Sequence, residues 1–352
     1  MLRIALVAAA IALAGCSTAT PQPPPATTTQ ANWNAIALAE AAAYARSQKT
    51  TGFLIIQDRK VIAEHNWPLP DDEASQLFRA NFVHGEKSGG VLREDVASQQ
   101  KSLIAVLVGI GVDKGLIDIE KPVSAYLGTG WTKATAAQEA AITIRHLLEM
   151  NSGLRENLTF EAAAGERFFY NTPAYAKLKP VLEKASGENL RTLTQLWFTK
   201  PAGMHDTGWE QRPGAFSDVG NPTGLVTTPR DLAIMGQVVL DRGRAANGAQ
   251  LISQAQLDAM FKPTATNPAY GRLWWLNDSA YSLNPGPNTP RRGGRFIPSA
   301  PTDTLSALGA QDRKLFVVPS MNLIVVRTGQ AAPDRDFNEK LWQYLAKAAP
   351  QS

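Results

Sequence analysis

Ala97-Ser98-Gln99-Gln100-Lys101-Ser102-Leu103 runs straight into the apolar segment Leu103-Ile104-Ala105-Val106-Leu107-Val108-Gly109-Ile110. The stretch predicts a serine in the first turn of a buried helix, with a lysine one turn later. Residues three apart share a helix face, so the Lys101 amine can reach the Ser98 hydroxyl. A serine needs a nearby base to act as a nucleophile at neutral pH, and a desolvated lysine can be that base. The helix N-terminus adds free N–H groups and partial positive charge, which favour an oxyanion there. The same letters also fit a helix cap at Ser98 and a snorkelling surface lysine at Lys101. The helix that follows is apolar nearly all round, which suits a core helix rather than a surface one.

Outward from this segment, the N-terminus reads as targeting sequence. Met1-Leu2-Arg3 is charged, Ile4 to Ala12 is apolar, and Leu13-Ala14-Gly15 leads to Cys16, the one cysteine of the 352 residues. The apolar run is shorter than the roughly twenty residues a membrane span needs. Residues 1–16 therefore read as a lipoprotein signal with Cys16 as the lipidated residue, and the alternative is an ordinary secretory signal. Several acyl chains on one cysteine give stable anchoring. The expected location is the periplasm, on a membrane, with the outer one favoured because Ser17 rather than Asp follows the cysteine. Residues 17–31 are rich in Thr, Pro and Gln and predict a flexible tether. Residues 32–349 are long enough for a sizeable core. The 35 Lys and Arg against 31 Asp and Glu are not gathered into a run apart from Arg291, Arg292 and Arg295, so nucleic acid is not expected as a partner.

Along the domain, Asn34 to Ser47 predicts a helix, and residues 52–57 and 61–67 around Asp58-Arg59-Lys60 predict a β-hairpin. Leu69 to Val96 reads as irregular. A mostly helical region follows, about 113–240, with helices at 122–127, 143–150, 173–185, 193–199 and 229–241. Thr228 is the cap of the last and Pro229 its first residue. Asn284 to Asp303 reads as a long loop. Strands at 304–310, 314–318 and 323–328 and a helix from Asp336 to Ala348 end the chain. Strand patterns at both ends with helices between them imply an α+β fold, in which one antiparallel sheet is built from both termini around a helical insertion.

Two more segments carry candidate chemistry. In Gly165-Glu166-Arg167-Phe168-Phe169-Tyr170-Asn171-Thr172-Pro173, a tyrosine sits just before a helix. Beside a cationic lysine it would have a lowered pKa and could relay protons. In Ser306-Ala307-Leu308-Gly309-Ala310-Gln311, the glycine allows close approach to the backbone. A strand N–H there, at Ala310, pairs with the Ser98 N–H as a candidate oxyanion hole. Trp274 and Trp275 are candidates for an acyl pocket or for core packing. His65, His84, His146 and His205 show no metal-ligand spacing, so no metal site and no cofactor are expected. No Gly-x-Ser-x-Gly elbow occurs.

The chain resembles the serine hydrolases related to class C β-lactamases and penicillin-binding DD-peptidases. The likeness rests on Ser98-Gln-Gln-Lys101, Asp113 to Asp118, Ile142 to Leu148 with Asn151 to Leu154, and Gly165 to Tyr175. It continues through Gly224 to Asp231, Tyr270 to Trp275, Val317 to Ser320 and Val325 to Gly329. It implies an acyl-enzyme mechanism with Ser98 as nucleophile, Lys101 as its base and Tyr170 as proton relay. The family's Tyr-x-Asn is here Tyr170-Asn171-Thr172, so either Asn171 or Thr172 fills the third place. Ala307-Leu308-Gly309 replaces the family's cationic Lys-Thr-Gly, with Leu308 and Gly309 left as substrate-contact candidates. The missing cation points away from β-lactamases and toward the branch of esterases and aminohexanoate-dimer hydrolases. The implied partner is a small ester, amide or peptide-like substrate. A DD-peptidase or weak β-lactamase is the nearest alternative, and a non-catalytic envelope-binding lipoprotein the more distant one. If a carboxylate is bound, Arg291, Arg292 or Arg295 could supply the charge, though the reading preferred for all three is a solvated loop.

Overall fold

Asp58 and Arg59 close the first hairpin, both with positive φ (50° and 61°), the geometry that matches the twist of the flanking strands. The computed structural model describes residues 32–214, 220–285 and 290–350. Its strands are β1 (Thr50–Gln57), β2 (Lys60–Asn66), β3 (Val83–Lys87), β4 (Val91–Asp95), β5 (Gly208–Gln211), β6 (Thr223–Thr227), β7 (Trp275–Leu276), β8 (Tyr281–Ser282), β9 (Arg292–Gly293), β10 (Leu305–Gly309), β11 (Arg313–Val318) and β12 (Leu323–Gly329). The main sheet has the order β2-β1-β12-β11-β10-β7 and is antiparallel throughout. The strand nearest the N-terminus therefore lies beside the last one, with Ile55 opposite Val325.

Both faces of this sheet are covered. Phe53, Ile55, Phe316, Val318, Leu323 and Val325 face the helices Ala35–Ser47 and Phe337–Ala348, which supply Ala41, Ala45, Leu341, Trp342 and Leu345. The alternate residues Leu54, Leu315, Val317, Ile324 and Val326 join the larger core on the other face, with the helices Gln100–Asp113 and Pro229–Leu240. Burial on both sides explains why β11 and β12 read as continuous apolar runs rather than alternating ones. The helix after Ser98 is buried at every residue from Gln100 to Gly111, as its all-round apolar sequence requires.

Several expectations need correction. Leu69 to Val96 is not irregular. It holds a helix, Glu73–Phe82, capped by Asp72, and the strands β3 and β4 of a second sheet ordered β3-β4-β6-β5. β4 ends in Glu94 and Asp95, two acids buried against Arg313 and Arg212. The helical region is accordingly interrupted by β5 and β6. The helix expected over 173–185 is two, Thr172–Ala176 and Leu178–Ser186. Pro180 cannot donate to the Ala176 carbonyl, so the ladder breaks between them. The helical run expected from Leu193 begins at Leu190, because Asn189 caps it by accepting the Thr192 N–H at 2.9 Å. Within 284–303, β9 pairs with β8, and residues 286–289 lie outside the described ones. The signal, Cys16 and tether also lie outside them. No helix of the described residues is long and apolar enough to cross a membrane.

Candidate active site

The polypeptide leaves β4 through a left-handed residue. Ala97 has φ 50°, unusual for a residue with a side chain. A single 3₁₀ turn, Ala97–Gln99, then carries Ser98 into the buried Gln100–Asp113 helix. The Ala97 N–H donates to Asp95 Oδ1 at 2.8 Å, and the Gln99 N–H donates to the Val96 carbonyl at 3.1 Å. The end of β10 packs on this turn. A Cβ on Gly309 would stand 2.3 Å from the Val96 carbonyl oxygen and 3.3 Å from the Gln99 nitrogen, so only glycine lets the strand come this close.

Ser98 is half-buried and Lys101 is 1% exposed. The Lys101 amine donates to Ser98 Oγ at 2.9 Å and lies 3.3 Å from Thr172 Oγ1. It sits over the rings of Tyr170 and Tyr175, 4.8 Å and 4.7 Å from their centroids. Among the described residues no carboxylate is paired with it. Burial, assisted by the nearby Arg212 charge, pulls its pKa from 10.5 to about 7. An amine so placed is substantially neutral in slightly alkaline water and can accept the hydroxyl proton.

The Tyr170 side chain lies beside Ser98. Its ring stacks on Trp275, with centroids 6.1 Å apart and planes at 20°, and Trp275 stacks in turn on Phe296 at 4.8 Å. Tyr270 meets Tyr170, Phe168 and Trp275 edge-on. The expectation of a lowered Tyr170 pKa fails. Burial pushes it up to about 12, the neighbouring Ser98 opposing only in part. The phenol is therefore neutral and able to donate.

Asn171 and Thr172 make different contacts. Asn171 is 1% exposed, accepts the Ala174 N–H at the start of the Thr172–Ala176 helix, and donates to the carbonyls of Leu154 and Arg155 at 2.8 and 3.0 Å. It is a helix cap and turns away from Lys101, while Thr172 faces the amine. Trp274 is also corrected: it is fully buried, edge-on to Phe261, and belongs to the core. Trp275, its neighbour, is the ring behind Tyr170. Leu308 and Gly309 are half-buried and Ala310 is exposed at the end of β10. Arg313 follows them on β11, yet its guanidinium is buried and committed to Glu94 and the Ala310 carbonyl. Arg291 lies over the Tyr281 ring and Arg295 donates to the Ala300 carbonyl. His146 closes a capping box with Thr143. Among the described residues no group of three His, Cys, Asp or Glu is placed to hold a metal ion. Asp95 and Arg212 were not singled out from sequence. Asp95 lay in a segment read as irregular, and no local pattern joins it to Arg212.

The beta-lactamase family model matches residues 37–349, and the chain belongs to that family of serine hydrolases. Among solved structures, it is similar to a protein of Bacteroides dorei provisionally named a beta-lactamase, with a TM-score of 0.69 and 16% identity over 91% of this chain and 100% of that one. It is similar to a protein of Bacillus anthracis provisionally named a 6-aminohexanoate-dimer hydrolase, with a TM-score of 0.62 and 15% identity over 88% and 83% of the two chains. EstCE1, described as a hydrolase with promiscuous acyltransferase activity, gives a TM-score of 0.63 and 16% identity over 90% of this chain and 98% of its own. These likenesses show the fold: an α+β architecture with a sheet from both termini and a helical insertion.

Proposed function

We propose that this protein hydrolyses an ester or small amide through an acyl-enzyme on Ser98. The observation that carries the reading is the buried Lys101 amine, 2.9 Å from the half-buried Ser98 hydroxyl and without a carboxylate partner among the described residues. Ser98 Oγ bonds to the substrate carbonyl carbon while its proton passes to Lys101 Nζ. The oxyanion sits between the N–H groups of Ser98 and Ala310. The carbon–leaving-group bond then breaks, and the leaving group takes a proton through Tyr170. Water attacks the acyl carbon by the reverse route and frees Ser98. Thr172 takes part by its contact with Lys101 Nζ.

Two observations favour neutral esters and amides over substrates with a carboxylate at the third motif. Ala307 stands in the place of the expected cation, and Arg313 on the adjoining strand is buried against Glu94. The names borne by the Bacillus anthracis protein and EstCE1 agree with this choice. Anchoring through lipid on Cys16 at a periplasmic membrane face is part of the same proposal, supported by the signal-like sequence. Palmitate labelling lost on Cys16→Ser tests it.

The central experiment labels full-length protein with a fluorophosphonate probe. Labelling is expected for the wild type and lost in Ser98→Ala, and undiminished labelling of that variant refutes the assignment. A stable adduct with a labelled penicillin, together with no turnover of nitrophenyl esters, would favour the DD-peptidase reading instead.

A further inference from the structure

Behind the Ser98 turn lies an ion pair that the proposed chemistry does not use. Asp95 is 2% exposed. Its Oδ2 accepts from Arg212 Nε at 2.7 Å and its Oδ1 from Arg212 Nη2 at 2.9 Å, a two-point pairing. The same Oδ1 accepts the N–H of left-handed Ala97, the residue before Ser98. Arg212 is held in turn. Its Nη1 donates to the Asn221 carbonyl at 3.2 Å, and its own N–H donates to the Pro222 carbonyl at 2.8 Å. β6 makes room for the pair at Gly224, where a Cβ would stand 2.1 Å from Asp95 Oδ2 and 2.9 Å from Arg212 Nε. A link therefore runs from the β5–β6 segment through two buried charges to the backbone that aims Ser98.

We propose that Asp95 and Arg212 are positioning residues for acyl transfer: the carboxylate fixes the Ala97 turn that presents Ser98, and the guanidinium both locks that carboxylate and holds a fixed positive charge behind Lys101. The inference rests on the reading of Ser98 and Lys101 as nucleophile and base. The groups around Lys101 fit it. Its own turn offers Ser98, the Thr172–Ala176 helix offers Thr172 and Tyr175, and the segment just before that helix offers Tyr170. The Leu178–Ser186 helix brings Lys179, whose amine is bonded to Asn221 and Thr223. The two sheets bring Asp95 with Arg212 and Glu94 with Arg313, each acid matched by one guanidinium. The acids are thus neutralised within their pairs. The unmatched ionisable groups near the Lys101 amine are another lysine and neutral phenols, and this arrangement favours the uncharged amine.

The test is the pH profile of kcat/KM for nitrophenyl butyrate with full-length protein. Its acid limb reports the base of the free enzyme. Arg212→Gln removes a cation and leaves Asp95 unmatched, so the limb moves to higher pH. Asp95→Asn keeps an oxygen for the Ala97 N–H and leaves Arg212 unmatched, so the limb moves to lower pH. Shifts of about half a pH unit or more are expected from charges at this range. Arg212→Lys keeps the charge without the fork, so the limb stays in place while kcat falls about tenfold with KM little changed. Opposite shifts for the two charge-removing variants cannot come from a loosened fold. If Arg212→Gln does not fold, Asp95→Asn against Arg212→Lys makes the same comparison. Wild-type limbs in all folded variants overturn the proposal, and so does an unchanged kcat in Arg212→Lys. Full labelling of Ser98→Ala would instead overturn the reading beneath it.

Discussion

Replacing Lys101 by Met is expected to abolish turnover and, at neutral pH and below, to stabilise the fold. The amine titrates at 10.5 in the open chain and at about 7 in the native one. At about 1.4 kcal/mol per pH unit, the linkage spans roughly 5 kcal/mol. Between those two pKa values the unfolded chain binds a proton that the native state does not. Wild-type stability therefore rises with pH through the window, and the burial cost of the ammonium is fully present below about pH 7. Methionine fills a similar volume and has no such dependence. The contacts to Ser98 at 2.9 Å and Thr172 at 3.3 Å are lost with the amine. At about 1 kcal/mol each they offset part of the gain. Lys101→Met should then be more stable than the wild type by roughly 2–3 kcal/mol near pH 6, with the advantage gone by about pH 10. Urea unfolding followed by tryptophan fluorescence, run on both proteins across this range, measures the difference, and contributions common to both cancel. A stability difference that does not change with pH would refute the reasoning, because Lys101 would then titrate alike in both states.

Two further outcomes separate the architecture of the site from its chemistry. Asn171→Ala removes a helix cap and leaves the Leu154 and Arg155 carbonyls without their donor. It should cost about 2–3 kcal/mol in urea unfolding while the pH profile of turnover keeps its shape. Gly309→Val pushes a side chain onto the Val96 carbonyl, 2.3 Å from where its Cβ would stand. Displacing the Ser98 turn should lower kcat about 100-fold in a nitrophenyl-ester assay, and a wild-type kcat would show that the close approach is not needed.

Much of this was legible in the sequence where one force dominates. Leu103 to Ile110 and Leu323 to Val326 are buried on all sides, so their apolar runs announced a core helix and core strands. The Ser98–Lys101 spacing worked because helix geometry alone brings residues three apart together. The second sheet was hidden because β4, one of its two inner strands, ends in Glu94 and Asp95, whose burial depends on Arg313 and Arg212, both distant in the chain. Asn171 and Thr172 are neighbours with similar chemistry, and only the cap geometry shows which of them turns toward Lys101. Trp274 and Trp275 differ by one position, yet one is sealed in the core and the other backs Tyr170. The sequence implies a lowered Tyr170 pKa through a charged lysine beside it, whereas burial acts on both groups and favours the neutral form of each.

The pairing of β1 with β12 also governs how the molecule comes into being. Asn34 donates its N–H to the Ala348 carbonyl at 2.9 Å, so the domain begins and finishes at one spot. During synthesis the opening hairpin must wait, one edge bare, until nearly the whole polypeptide has emerged. Closing so large a loop makes folding slow and late. The same adjacency means that a short peptide could join the two ends, letting the order of the segments be rewired without moving Ser98.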